Sequence, residues 1–284
     1  MHHGLRCIRL ESCHTVFRCG FFNIFESDII FCMKITKKNK MIVANWKMNI
    51  FSEKEAKKLI GDIKKKTLSV KNTEIVFCVN PVFLSSLTKG ISKNYKLGVQ
   101  NISSEEKGSY TGETSVLHIK PFKVSHSIIG HSERRKMGES DILINKKVKN
   151  CLNNGIVPIV CIGEEVRDEN GNYLETIKNQ IKTAFSGVSK GQVLDCVVAY
   201  EPVWAIGASQ AMKPEDVFEM YLWVKKCLKE IFGSLSENIK VLYGGAVDDT
   251  NASDIFKIGN IDGFLVGRAS LDANLFSGII KNIL

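Results

Sequence analysis

"VVAYEPVWAIG", residues 197–207, opens with four apolar or aromatic residues and reaches a carboxylate, Glu201, followed closely by Pro202, Trp204 and Gly207. An apolar run without polar alternation suits a strand covered on both faces, as the strands of parallel sheets are. A carboxylate at the tip of such a strand is costly to bury unless something pairs with it or uses it. The same kind of run recurs along the chain: "MIVANW" (41–46), "EIVFCV" (74–79), "KLGVQ" (96–100), "SIIGH" (127–131), "VPIVCIG" (157–163), "CVVAYE" (196–201), "KVLYGG" (240–245) and "GFLVG" (263–267). Helical patterns lie between them. Ser52 and Glu55 make a capping box before "EKEAKKLI", and Pro214 suits the first position of "PEDVFEMYLWVKKCLKEIF". In that helix Val217, Met220, Tyr221, Val224, Leu228 and Ile231 recur at helical spacing. Eight strand–helix units in about 245 residues predict an α/β fold, a (β/α)8 barrel in one domain over residues 41–284. A doubly wound sheet is the alternative, but no GxGxxG follows the first strand.

Composition narrows the classes. Hydrophobic residues at 44% and charged ones at 24% describe an ordinary globular chain with a sizeable core. No apolar run reaches the roughly 18 residues of a membrane span, so no membrane partner is expected. The net charge of +9 invites a nucleic-acid reading. However, the lysines fall in runs such as "KEAKKLIGDIKKK" (54–66), spaced like the wet face of a helix, so no nucleic-acid partner is expected. A small phosphate-bearing substrate would also be drawn by the excess charge. Cys78, Cys151, Cys161, Cys196 and Cys227 sit in apolar surroundings without paired spacing and read as buried reduced thiols.

Residues 1–40 are the one compositional break, with seven basic and three acidic residues, a net +4. Four cysteines (Cys7, Cys13, Cys19, Cys32) crowd this segment without a CxxC pair, which argues against a metal site. It lacks the uninterrupted apolar stretch of a secretory signal and is too acidic and Ser-poor for a transit peptide. It reads as a disordered or targeting extension, or as a start placed too far upstream of Met41.

In a barrel, chemistry gathers at the C-terminal strand ends. Those ends carry Asn45 and Lys47 after the first strand, His131 after the fourth and Glu201 after the sixth. Gly244 and Gly245 follow the seventh strand, and Gly267 the eighth. A carboxylate, an imidazole, an ammonium and glycine turns on one mouth suit proton abstraction beside a carbonyl, with a phosphate held by backbone N–H groups. Each also has a plainer reading: Glu201 paired to a lysine at the rim, His131 bonded to backbone, Lys47 a surface charge, the glycines mere turn-formers.

"ANWKMN" (44–49), "GHSERR" (130–135), "AYEPVWAIG" (199–207), "YGGAV" (243–247) and "GFLVGRASL" (263–271), in that order and spacing, resemble the triosephosphate isomerase family from Met41 to the C-terminus. The resemblance implies interconversion of dihydroxyacetone phosphate and glyceraldehyde 3-phosphate through an enediolate, in glycolysis and gluconeogenesis. It implies Glu201 as the base, His131 as a neutral donor to the oxyanion, and Lys47 as fixed positive charge. Asn45 is then a polar contact, and phosphate is held by backbone N–H groups of Gly207, Ala246, Gly267 and Arg268. Pro202, Val203 and Trp204 become the first hinge of a lid. No metal or organic cofactor is implied. The cytoplasm is the expected compartment and a homodimer the expected assembly, through "QNISSEEKGSYTGETS" (100–115), with Thr111 at the tip near the partner subunit's Asn45.

Three departures stand out. The usual Gly-Thr-Gly-Lys-Thr-Ala of the lid tip and second hinge is replaced by residues 207–212, "GASQAM". The usual Ser after "YGG" is Ala246, and the usual second Gly of the last phosphate loop is Arg268. The altered lid leaves room for a related isomerase of four-carbon ketose phosphates. A sugar-phosphate-binding barrel without turnover is the third reading, against which Asn45, Lys47, His131 and Glu201 all stand.

Overall fold

The computed structural model describes residues 39–92, 94–206 and 211–284, so readings that fall on residues 1–38 and on Gly207 lie outside the described residues. Eight parallel strands close on themselves in chain order: β1 (Lys40–Asn45), β2 (Thr73–Val79), β3 (Tyr95–Val99), β4 (Val124–Ile129), β5 (Val157–Ile162), β6 (Val197–Tyr200), β7 (Lys240–Tyr243) and β8 (Gly263–Val266). The seam is the pairing of β1 with β8, Met41 opposite Gly263 and Ala44 opposite Val266. The longer helices around it are α1 (Glu53–Lys66), α2 (Ser132–Lys136), α3 (Asp141–Asn153), α4 (Asn172–Ala184), α5 (Pro214–Phe232), α6 (Ala252–Ile258) and α7 (Ala273–Asn282). After β2 and β3 the helical layer is reduced to single turns, Leu84–Leu87 and Val116–Ile119.

The lack of polar alternation in the strands has its cause in two cores. Met41, Val43, Val76, Cys78, Ile128, Ile159, Cys161, Val197, Ala199, Leu242 and Leu265 fill the barrel interior. Their neighbours Ile42, Ala44, Phe77, Val160 and Val198 pack outward under the helices. Side chains alternate faces along a strand, and here both faces are dry. All five described cysteines are free and buried. No described helix is long and apolar enough to cross a membrane.

Pro214 opens α5, whose Val217, Met220, Val224 and Leu228 are buried, while Tyr221 and Ile231 are half-buried. Ser52 caps α1 by accepting the Glu55 N–H at 3.2 Å. The return half of the expected capping box is displaced, since the Glu55 carboxylate takes the N–H of Phe51 rather than that of Ser52.

The strand ends differ from the sequence reading in a consistent way. Trp46, Gln100, Gly163, Glu201, Gly244, Gly245 and Gly267 all lie just past the ends of their strands. Trp46, Glu201 and Gly244 each donate one more backbone bond to the neighbouring strand, to the carbonyls of Cys78, Ile162 and Tyr200, before the chain turns into its loop. Cys196 likewise precedes β6. β4 shifts most, starting at Val124 instead of Ser127 and stopping before Gly130, which takes φ +70°. Its polar Ser125 and His126 disguised the start. β1 begins at Lys40 rather than Met41, and the Lys40 ammonium donates to the carbonyls of Ile283 and Leu284.

Candidate active site

Asn45 ends β1, buried, and its Oδ1 accepts the Lys47 N–H at 3.1 Å. Lys47 has φ +50°, a left-handed backbone that a non-glycine residue adopts only under constraint. The constraint comes from two sides, because its carbonyl also accepts Gln100 Nε2 at 2.7 Å. This bent backbone sends the Lys47 ammonium across the mouth to Glu133 Oε1 at 2.6 Å. Partial burial works against the Glu133 charge, but the ammonium outweighs it and holds the carboxyl below its ordinary value.

His131 caps α2, its Nδ1 accepting the Glu133 N–H at 3.2 Å. A ring nitrogen that accepts carries no proton, so the hydrogen-bond pattern assigns the neutral tautomer with its proton on Nε2. That Nε2 lies 3.2 Å from Glu201 Oε1. A helix dipole could also favour this neutrality. With α2 only five residues long, the specific Glu133 N–H is the stronger reason.

Glu201 is 2% exposed. Its Oε2 accepts the Ser132 N–H at 3.0 Å, so the carboxylate rests between a backbone donor and the imidazole. Its own N–H donates to Ile162 O at 2.8 Å. Two glycines make the room. A Cβ on Gly163 would stand 1.8 Å from the Glu201 carbonyl oxygen, and one on Gly244 would stand 2.9 Å from Glu201 Cγ.

Below the lid stem sits Glu164, a carboxylate the sequence reading did not single out. It is 2% exposed, and its Oε1 accepts from Tyr200 Oη at 2.8 Å, Trp204 Nε1 at 2.8 Å and Arg167 Nε at 3.2 Å. Burial and the Glu164 charge push the Tyr200 phenol far up, so it stays a donor. The Val203 N–H donates to the Glu164 carbonyl at 3.0 Å, fixing the Val203–Ala205 turn from both its backbone and its indole.

The phosphate side is less complete. Gly267 borders Lys47, since a Cβ there would meet Lys47 Cε at 3.6 Å. Ala246 is half-buried just past β7. Arg268 opens the turn Arg268–Leu271, exposed, and its guanidinium has no ion pair or hydrogen bond with any described residue. Thus Asn45, Lys47, His131, Glu201 and Gly267 come together at one mouth, with Glu133, Ser132 and Gly163 as partners. Among the described residues no three His, Cys, Asp or Glu side chains converge as metal ligands.

The family model for triosephosphate isomerase matches residues 40–283. A triosephosphate isomerase from Alkaliphilus oremlandii is 40% identical over 248 residues, spanning 86% of this chain and 99% of that one. One from Endomicrobium trichonymphae is 37% identical over 247 residues, 86% of this chain and 98% of its own. Among solved structures, the triosephosphate isomerase of Bartonella henselae superposes with a TM-score of 0.76 at 31% identity, covering 86% of this chain and 98% of that one. The chain belongs to the triosephosphate isomerase family.

Proposed function

We propose that the residues at this mouth carry out the aldose–ketose isomerisation of triose phosphates, with Glu201 as the base. The supporting observation is the Glu201 carboxylate, buried and held within reach of a neutral imidazole donor. Leaving the Ser132 N–H, Glu201 takes a proton from C1 of dihydroxyacetone phosphate. The carbonyl oxygen on C2 gains the negative charge, stabilised by His131 Nε2–H and the Lys47 ammonium. The carboxylic acid then returns a proton to C2, while a proton passes from O1 to O2, giving glyceraldehyde 3-phosphate. The stem at Pro202–Trp204 closes over the base and excludes water. Solvent deuterium should enter the substrate carbon only while Glu201 is present. A Glu201→Gln protein that still exchanges C1 protons would defeat the assignment. Running three- and four-carbon ketose phosphates side by side tests the substrate.

Phosphate is gripped by backbone N–H groups of Gly207, Ala246, Gly267 and Arg268 in this reading. Ala246 offers no hydroxyl, and a hydrogen bond to a charged group contributes roughly 1.5–3 kcal/mol. The Arg268 guanidinium, which pairs with no described residue, offsets the loss. Arg268→Gly is expected to raise KM and weaken inhibition by a phosphate-bearing enediolate analogue about tenfold, and much less beside Ala246→Ser. Unchanged constants in the Ala246 background would make Arg268 a bystander.

A homodimer through residues 100–115 belongs to the same proposal. That loop is closed by the Ser103 N–H on Thr114 O at 2.8 Å and carries Thr111 outward, exposed. Large exposed apolar side chains stand on the loops after β1 to β4: Met48, Phe51, Val82, Tyr110 and Met137. Thr111→Arg is expected to weaken association and turnover together, and sedimentation showing a fully active monomer at micromolar concentration would exclude the dimer requirement.

The extension is dispensable for the barrel in this reading, and it ends at residue 39 rather than 40 because Lys40 belongs to β1. A chain beginning at Met41 is expected to fold and turn over, although it loses the Lys40 bonds to Asn72 and the C-terminal carbonyls and the Lys40 ammonium over the Phe256 ring. Insolubility of that chain would bring the segment into the fold. The cytoplasm is the proposed location, supported by the family's glycolytic role and testable by fractionation.

A further inference from the structure

Glu201 hangs on a short segment, and one side chain from another loop reaches both ends of it. Tyr200 closes β6 just before Glu201, and Trp204 lies in the turn just after it. Arg167, on the loop between β5 and α4, donates from Nη2 to Tyr200 Oη at 3.3 Å. Its guanidinium carbon also lies over the Trp204 ring, 5.5 Å from the centroid.

Trp204 depends on such a hold. Trp46 is 1% exposed and fixed by the core, whereas Trp204 is 43% exposed, so burial does not place its ring. Its indole N–H is held by Glu164 Oε1 at 2.8 Å. That acceptor is a buried carboxylate, and a buried charge left without a partner is strongly destabilising. Among the described residues, Arg167 is the cation within ion-pair distance of it, Nε to Oε1 at 3.2 Å. Arg167 is itself anchored from the far side. Its guanidinium carbon lies 5.0 Å from the centroid of Tyr173, a ring in the first turn of α4 that packs against the core. The next residue, Asp168, accepts the Asn172 N–H at 3.0 Å and so ties the loop to the start of that helix. A guanidinium over an aromatic face attracts it more strongly when partly desolvated, and the Arg167 side chain is mostly buried.

We infer that Arg167 is a positioning residue for the segment that carries Glu201. It neutralises Glu164, which holds the indole, and it clamps the ring of Trp204 toward α4. The stem after Glu201 then starts from one fixed place. The consequence for turnover rests on the isomerase reading of the mouth; the fastening of Trp204 does not.

Arg167→Lys separates the two parts of this role, because an ammonium can still pair with Glu164 but cannot stack in the plane between two rings and reach Tyr200. The full chain labelled with 5-fluorotryptophan carries three tryptophans, and Trp204→Phe identifies the 19F resonance of Trp204. Arg167→Lys is expected to move that resonance toward the position of free 5-fluorotryptophan while the Trp46 resonance stays in place. It should also lower kcat/KM about tenfold and weaken inhibition by a phosphate-bearing enediolate analogue, since a displaced stem alters kcat and KM together. Combined with Trp204→Phe, the double variant should lose little more than the worse single one, as expected of residues acting through one contact. An unmoved Trp204 resonance, or an unchanged kcat/KM in an active enzyme, overturns the positioning role. Losses that multiply in the double variant overturn the route through Trp204. Activity that falls only in step with the folded fraction in urea would make Arg167 a support of the fold alone. A displaced Trp204 resonance in a chain whose unsubstituted form shows no isomerase activity would fault the reading of the mouth and leave the fastening standing.

Discussion

Replacing Glu201 with Asp is expected to lower kcat by about 10²-fold with little change in KM, since misplacing a reacting group by roughly 1 Å has that order of effect. The charge is kept and only the reach is shortened. The backbone cannot move forward to compensate. Its N–H is tied to Ile162 O at 2.8 Å, and Gly163 already allows the closest approach that a Cα permits. An aspartate rooted there cannot hold both the Ser132 N–H and His131 Nε2, so the variant loses its resting bonds as well as its attack distance. KM is spared if, as proposed above, the phosphate is held by other loops. Steady-state kinetics decide the matter, and a near wild-type kcat would take the base role from Glu201.

Acid should destabilise the barrel through His126, at the end of the barrel away from the mouth. Burial, then the charges of Lys240 and Lys96, lower its pKa from the usual 6.5 to about 3. Glu74 Oε1, 3.8 Å from its Nε2, pulls the other way but is too distant and too exposed to win. Ser125 Oγ lies 2.8 Å from Nδ1. The sign follows from the unfolded chain, where His126 titrates near 6.5 and so takes up a proton before the folded form does. Above pH 6.5 both states are neutral there and stability is at its full value. Below it, stability falls by up to about 1.4 kcal/mol per pH unit until the folded form itself protonates near pH 3. Between pH 7 and pH 5 the loss from this one group is roughly 2 kcal/mol. His126→Gln, which cannot titrate, should show a shallower decline in denaturant unfolding at fixed protein concentration. Parallel pH profiles for the two proteins would mean that His126 is reached by protons without unfolding.

The barrel was legible because its strands are dry on both sides, so each appears as an uninterrupted apolar run. β4 was the exception, since Ser125 and His126 interrupt the pattern while His126 is 3% exposed. A histidine can be buried when it is neutral, and a hydropathy reading does not register that. At the mouth, Asn45, Lys47, His131 and Glu201 were visible as polar residues at or just beyond the ends of apolar runs. Their partners were not, because the Lys47–Glu133 pair spans 86 residues and the Ser132–Glu201 bond spans 69, and only the folded barrel brings them together. Glu164 had a signal that could have been read: "GEE" (163–165) directly follows an apolar run, the same pattern that drew attention to Glu201.

The seam between β1 and β8 sets the order in which this molecule can be completed. Met41 must find Gly263, more than two hundred residues later in the chain. While the protein is being synthesised, β1 therefore waits as an open edge, its hydrogen-bonding groups offered to any passing strand until β8 leaves the ribosome. Contacts this remote are slow to form and favour partly folded intermediates prone to aggregation. Catalytic competence arrives late for the same reason, since Lys47 hangs from the first strand and Gly267 from the last. A nascent chain cut short before β8 would carry Glu201, His131 and Lys47, yet have no closed barrel to bring them together.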